Sequence, residues 1–83
     1  MNRKPRAYIR PVLRPDGVTA LAVIRREKGM TQEQLAEKVD MTSTAIIGYE
    51  RGNRTRPNTA QKIADALGEP LSELWIVEVA SAS

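Results

Sequence analysis

The apolar positions of this chain fall into short clusters with two different periods. In "VTALAVIRREKG" (18–29), Leu21, Ile24 and Lys28 share one helical face, and Gly29 is a natural stop. In "TQEQLAEKV" (31–39), Leu35, Ala36 and Val39 form the inward stripe. Thr31 as N-cap and Gln34 three residues on complete a capping box. After Asp40–Met41, Thr42 caps a helix running to Glu50 or Arg51, with Ala45, Ile46 and Tyr49 periodic and Gly52–Asn53 at its end. "RTRP" reads as loop. Asn58 or Thr59 then caps "AQKIADAL", whose Ile63, Ala64 and Leu67 point inward before Gly68. "EPLSELW" is a short fifth helix carrying Leu71, Leu74 and Trp75.

The two ends follow a different pattern. Pro5, Pro11, Pro15 and the turn signal Asp16–Gly17 argue against helix in residues 1–17. "AYIRPVL" fits an edge strand, the one place in a sheet that tolerates Pro11, or an arm without fixed structure. In "WIVEV" the β-branched Ile76, Val77 and Val79 favour a strand. The pattern therefore predicts an all-α domain of five helices with short strands at the N- and C-terminal segments. It divides into a basic arm or edge strand (1–17), a helical domain (18–75) and a C-terminal strand or tail (76–83).

Composition narrows what such a domain can do. Eighty-three residues suit one small core, and the absence of cysteine and histidine excludes disulfides and the usual zinc sites. No Gly-rich phosphate loop or catalytic arrangement of carboxylates is evident, so neither enzyme activity nor a cofactor or metal is expected. No apolar run approaches a membrane span, which leads us to expect a soluble, cytoplasmic, nucleoid-associated protein. Net charge is +3, but it is unevenly spread. Arg3, Lys4, Arg6, Arg10 and Arg14 precede any acid, whereas Glu69, Glu73 and Glu78 follow Ala66 with no base. One end is suited to a polyanion.

The stretch "TQEQLAEKVDMTSTAIIGYERG" (31–52) sharpens that picture. Two short helices joined by a tight turn form a helix-turn-helix, about 32–51, whose second helix (43–51) can enter the DNA major groove. The motif requires Leu35, Val39, Ile46 and Tyr49 in the core, a small residue at Ala36 where the helices approach, and Met41 plugging the turn.

Residues 18–75, about seventy per cent of the chain, resemble the lambda-repressor-like family, the Cro and xenobiotic-response-element type of helix-turn-helix. The pattern "KGMTQEQLAEK…GYERGNRTRPNTAQKIADALGEPLSELW" carries the resemblance. It extends beyond the bare motif to the glycine-ended third helix, the basic loop and "IADALG". The resemblance implies a phosphate contact by Gln32, whose amide also lies at a helix N-terminus that favours an anion. It places Ser43, Thr44, Ile47 and Gly48 at the bases, and Thr42, Arg54, Thr55, Arg56 and Asn58 along the phosphates. It also matches Arg25 and Glu50 to an ion pair tying the first and third helices together. Arg3, Lys4 and Arg6 would reach DNA from the arm, as homeodomain arms do.

Two departures stand out. Asp40 occupies a turn position usually held by glycine, where positive φ is expected and aspartate is better tolerated than most residues. Up to Glu50 the third helix lacks Arg, Lys, Gln and Asn, the residues that make bidentate base contacts. Specificity must then come from hydroxyl and apolar contacts, DNA shape or the arm. The leading expectation is a sequence-specific regulator of double-stranded DNA, a repressor of phage, mobile-element or antitoxin type. It would be a homodimer through its terminal strands, which could instead pair within one chain. The competing expectation is a protein-interaction module, an adaptor or anti-repressor, that keeps the fold and takes a protein partner.

Overall fold

The computed structural model describes residues 6–80. Strand β1 (Arg6–Pro11) leads through a turn to helices α1 (Ala20–Glu27), α2 (Gln32–Lys38), α3 (Ser43–Glu50), α4 (Pro57–Leu67) and α5 (Leu71–Leu74). Strand β2 (Trp75–Ala80) closes the chain. No helix among the described residues is long and apolar enough to cross a membrane.

Local chemistry starts most of the helices. Thr19, Thr31 and Thr42 each accept a hydrogen bond from an amide in the first turn of α1, α2 and α3, and at Thr31 both halves of the capping box form. Helix α4 begins earlier than a cap at Asn58 or Thr59 would allow. Arg56 is the N-cap, with no side-chain cap bond, and Pro57 is the first helical residue. Proline fits there because the N–H it lacks would have had no helical partner.

The helix ends share one device. In α1 to α4 two amides just past the last turn bond back to carbonyls in that turn, the Schellman arrangement: at α2, Met41 N–H to Ala36 O (2.8 Å) and Asp40 N–H to Glu37 O (3.2 Å). Gly29, Gly52 and Gly68 supply the left-handed residue at the other three ends, and Asp40, with φ of 57°, supplies it here. The turn of the helix-turn-helix is thus closed by backbone bonds despite the missing glycine.

Leu21, Leu35, Ile46, Ile63 and Leu74 are fully buried in a core that also takes Ile9 and Trp75. Lys28 departs from its expected place on the inward face. It is exposed, its ammonium 3.3 Å from Glu69, as suits a side chain that packs its stem and keeps its charge in water.

The terminal segments pair with each other. β1 and β2 are antiparallel, in a register that sets Arg6 opposite Ala80, Ile9 opposite Val77 and Pro11 opposite Trp75. Pairing begins at Trp75, which belongs to β2 instead of the fifth helix. Ile9, Pro11 and Trp75 face the helices; Tyr8, Arg10, Ile76 and Glu78 occupy the other face. The ring of Trp75 meets that of Tyr49 edge-on, with centroids 6.2 Å apart. The sheet is therefore part of the same body as the helices, and residues 6–11 are no detached arm.

Candidate nucleic-acid interface

Helix α3 has two unlike faces. Its inner face carries Ile46, fully buried, and Tyr49, packed on the core. Its outer face presents Thr44, exposed, with Ser43, Ile47 and Gly48 half-buried beside it.

Glu50, at the end of α3, anchors the inner face. Its carboxylate receives two hydrogen bonds from the Arg25 guanidinium, one of them Nη2 to Oε1 at 3.1 Å, and both side chains are under 10% exposed. A planar guanidinium suits this fork geometry better than an ammonium would. Arg25 Nη1 also donates to the Met30 carbonyl at 2.6 Å, and Thr19 Oγ1 to the Glu50 carbonyl at 3.1 Å. Helices α1 and α3 and the turn before α2 are thus tied through one buried charge pair.

Gln32 joins the same network. Its Nε2 donates to Glu50 Oε1 at 3.0 Å, so one amide proton is committed to orienting the side chain and a second remains. Gln32, the first residue of α2, is thereby held at the end of α3 that carries Glu50. Thr42, exposed at the opposite, N-terminal end of α3, uses its oxygen to cap that helix and keeps its O–H to donate.

The loop after α3 contributes further polar groups. Chain alternation decides what each residue does. Thr55 exchanges backbone hydrogen bonds with Ile9 of β1 at 2.7 and 3.1 Å and is buried. Its amide and side chain therefore serve the fold, and it is the one predicted phosphate contact the structure turns away from the surface. The neighbouring Arg54 and Arg56 are exposed. Arg54 lies over the Tyr8 ring, 5.9 Å from its centroid, and 3.8 Å from Glu78, which Arg10 also approaches at 3.0 Å. Asn58 is exposed in the first turn of α4, whose free amides point the same way as the positive end of the helix dipole. Arg3 and Lys4 lie outside the described residues, and Arg6 enters only as the first residue of β1.

Two neighbours of this surface were not expected from the sequence. Arg51, the C-cap of α3, is exposed, and the helical period placing it seven residues after Thr44 on one face was a readable signal. Asn53 is exposed as well, but its position against α3 depends on Gly48 and on the fold of the loop. No linear pattern announces it.

The outer face of α3, with Gln32 bonded to its last residue and the exposed Arg51, Arg54 and Arg56 in the cap and loop that follow, has the composition of a groove-reading helix next to backbone-holding groups. Comparison with known proteins agrees. A relative from Methanothermobacter thermautotrophicus, named an uncharacterized HTH-type transcriptional regulator, is 44% identical over 57 residues, covering 65% of this chain and 81% of that protein. No solved structure matches the chain significantly. A helix-turn-helix family model matches residues 21–74, well over half of the chain, spanning all five helices apart from the first residue of α1. On its sequence and its fold, the chain belongs to the lambda-repressor-like, xenobiotic-response-element type of helix-turn-helix family.

Proposed function

We propose that this protein is a sequence-specific double-stranded DNA-binding transcriptional regulator, acting by binding alone and without catalysis, in the cytoplasm at the nucleoid. The reading rests chiefly on Gln32, bonded to the last residue of α3, and on the exposed Arg54 and Arg56 in the loop after that helix. α3 enters the major groove with Ser43, Thr44, Ile47 and Gly48 toward the bases, while Gln32, Thr42, Arg54, Arg56 and Asn58 hold phosphates. Occupying an operator in this way blocks other proteins from it, which makes repression the simplest outcome, as in phage, mobile-element or antitoxin regulators.

We further propose that it works as a homodimer, because a single short helix reads too few bases and paired half-sites multiply specificity. Supporting this, Ile9 spends its N–H and C=O on Thr55, so the Ile9–Val77 pair exchanges no hydrogen bonds and the Val77 backbone groups point to the outer edge of β2. That edge carries Val77, 53% exposed, beside Ile76. Two copies joined there would form one four-stranded sheet. A Val77→Lys protein should keep its melting temperature and become monomeric by light scattering, since an edge lysine opposes strand pairing.

The test of the function is selection from a random duplex library at two salt concentrations, with the stoichiometry of the winning complex measured. A two-fold symmetric consensus whose affinity falls steeply with salt is expected. Two observations favour the protein-interaction reading instead: Glu78 partly neutralises Arg54, and α3 shows Ile47 where a strong base reader would stand. No enrichment of any duplex, together with a salt-insensitive protein complex, would establish that reading.

A further inference from the structure

Between Ser43 and Glu50 the outer face of α3 offers hydroxyls and apolar groups but no side chain suited to two hydrogen bonds to one base edge. The nearest such group on that face is Arg51, at the very end of the helix. We propose that Asn53 supplies the missing group, its carboxamide occupying, over Gly48, the place where a side chain of α3 would otherwise stand. The inference rests on the DNA-binding reading above and names a specificity determinant within it.

The geometry at Gly48 carries the argument. A Cβ added to Gly48 would stand 2.8 Å from Asn53 Nδ2 and 3.7 Å from its Cγ, closer than side chains approach one another. The Asn53 amide therefore lies directly against the bare helix. Gly48 is not among the residues of positive φ, so its backbone gives no reason for glycine, and glycine weakens a helix interior. The room it leaves for Asn53 does give a reason.

The loop fixes Asn53 in place. Its amide N–H donates to the Gly48 carbonyl at 3.0 Å, and Gly52, with φ of 109°, turns the chain back along the helix. The nearby side-chain hydrogen bonds run from Ala45 N–H to Thr42 and from Gln32 to Glu50, and neither engages the Asn53 amide. Its direction is favourable as well. Gly48 follows Thr44 by four residues, so both lie in one row, and a Cβ on a helix leans toward the N-terminus. An amide at the Gly48 position therefore extends the row that the exposed Thr44 begins.

A carboxamide in that row matches one base. It donates from Nδ2 to adenine N7 and accepts at Oδ1 from adenine N6–H, the bidentate pair that marks an A·T step in the major groove. Arg54, one residue on, remains at the phosphates. Loop and helix together then present the reading surface that the helix alone lacks.

The test uses the full chain, a random duplex library and titration against the selected consensus at two salt concentrations. The parent should select a fixed A·T pair in each half-site. Asn53→Ala should keep the parent's melting temperature and bind the consensus about 5- to 150-fold more weakly. It should lose the preference at that pair alone, with the salt slope unchanged. Gly48→Ala, which pushes the amide away while leaving Asn53 in the chain, should lose preference at the same pair. An Asn53→Ala protein with the parent's consensus and affinity would overturn the inference. So would a loss uniform over all sequences with the salt slope reduced by about 1, the mark of a phosphate contact. A parent that enriches no duplex would instead overturn the DNA-binding reading beneath it.

Discussion

Two of the arginine–glutamate pairs among the described residues look alike in sequence and differ in consequence. Arg25–Glu50 lies between α1 and α3 with side chains 8% and 6% exposed; Arg10–Glu78 lies across the terminal sheet at 46% and 40%. Burial is the difference. The inner pair has no water to fall back on, so it is completed by Met30 O and Gln32 Nε2 and becomes a fixed joint. The outer pair is half exposed, and one Glu78 oxygen is shared between Arg10 and Arg54. One pair sets the pose of α3, and the other adjusts the charge of the loop that follows it.

Removing one partner of the inner pair should show the contrast most strongly. Glu50→Ala strands the Arg25 guanidinium and should lower unfolding free energy by about 3–5 kcal/mol, measured by urea titration. A variant as stable as the parent would remove the joint from this account. Next in size is the attachment of the sheet to the helices. Ile9→Ala empties a fully buried site and should destabilise by about 2–4 kcal/mol. Because Ile9 also lies where Thr55 is tethered, duplex affinity should fall in the fraction that remains folded.

Smaller changes refine the comparison. Asp40→Gly relieves a left-handed residue at the α2 end and should raise stability by up to about 1 kcal/mol. A lowered melting temperature would show that the aspartate side chain does something the backbone geometry does not require. Last, Glu78→Gln should change stability by less than about 1 kcal/mol. It should also strengthen duplex binding at low salt by releasing Arg54. If it weakened binding instead, Glu78 would be positioning Arg54 more than neutralising it.

Legibility followed the range of the interactions involved. The capping box at Thr31 and Gln34, the cap at Thr42 and the positive φ of Asp40 involve residues within a few positions of one another, and all were readable. The start of α4 was misread although its signals are equally local. Pro57, Asn58 and Thr59 all mark helix starts, and the proline, indifferent to its missing N–H, sits first. Thr55 was misread for a different reason. Among "NRTRP" it looks like one more polar loop residue, and only the strand forty-six positions earlier, at Ile9, turns it inward.

The amino-acid sequence by itself determined the five helices, the turn between the second and third, and the family. Those follow from periodicity, caps and spacing, which act over a turn or two of chain. Tertiary structure decided the rest. It paired the two ends into one sheet, pinned the arginine loop to β1, and laid the Asn53 amide over Gly48. Each of these depends on contacts closed between separate segments, where a polar residue's role is set by the group it finds opposite and not by its neighbours in the chain.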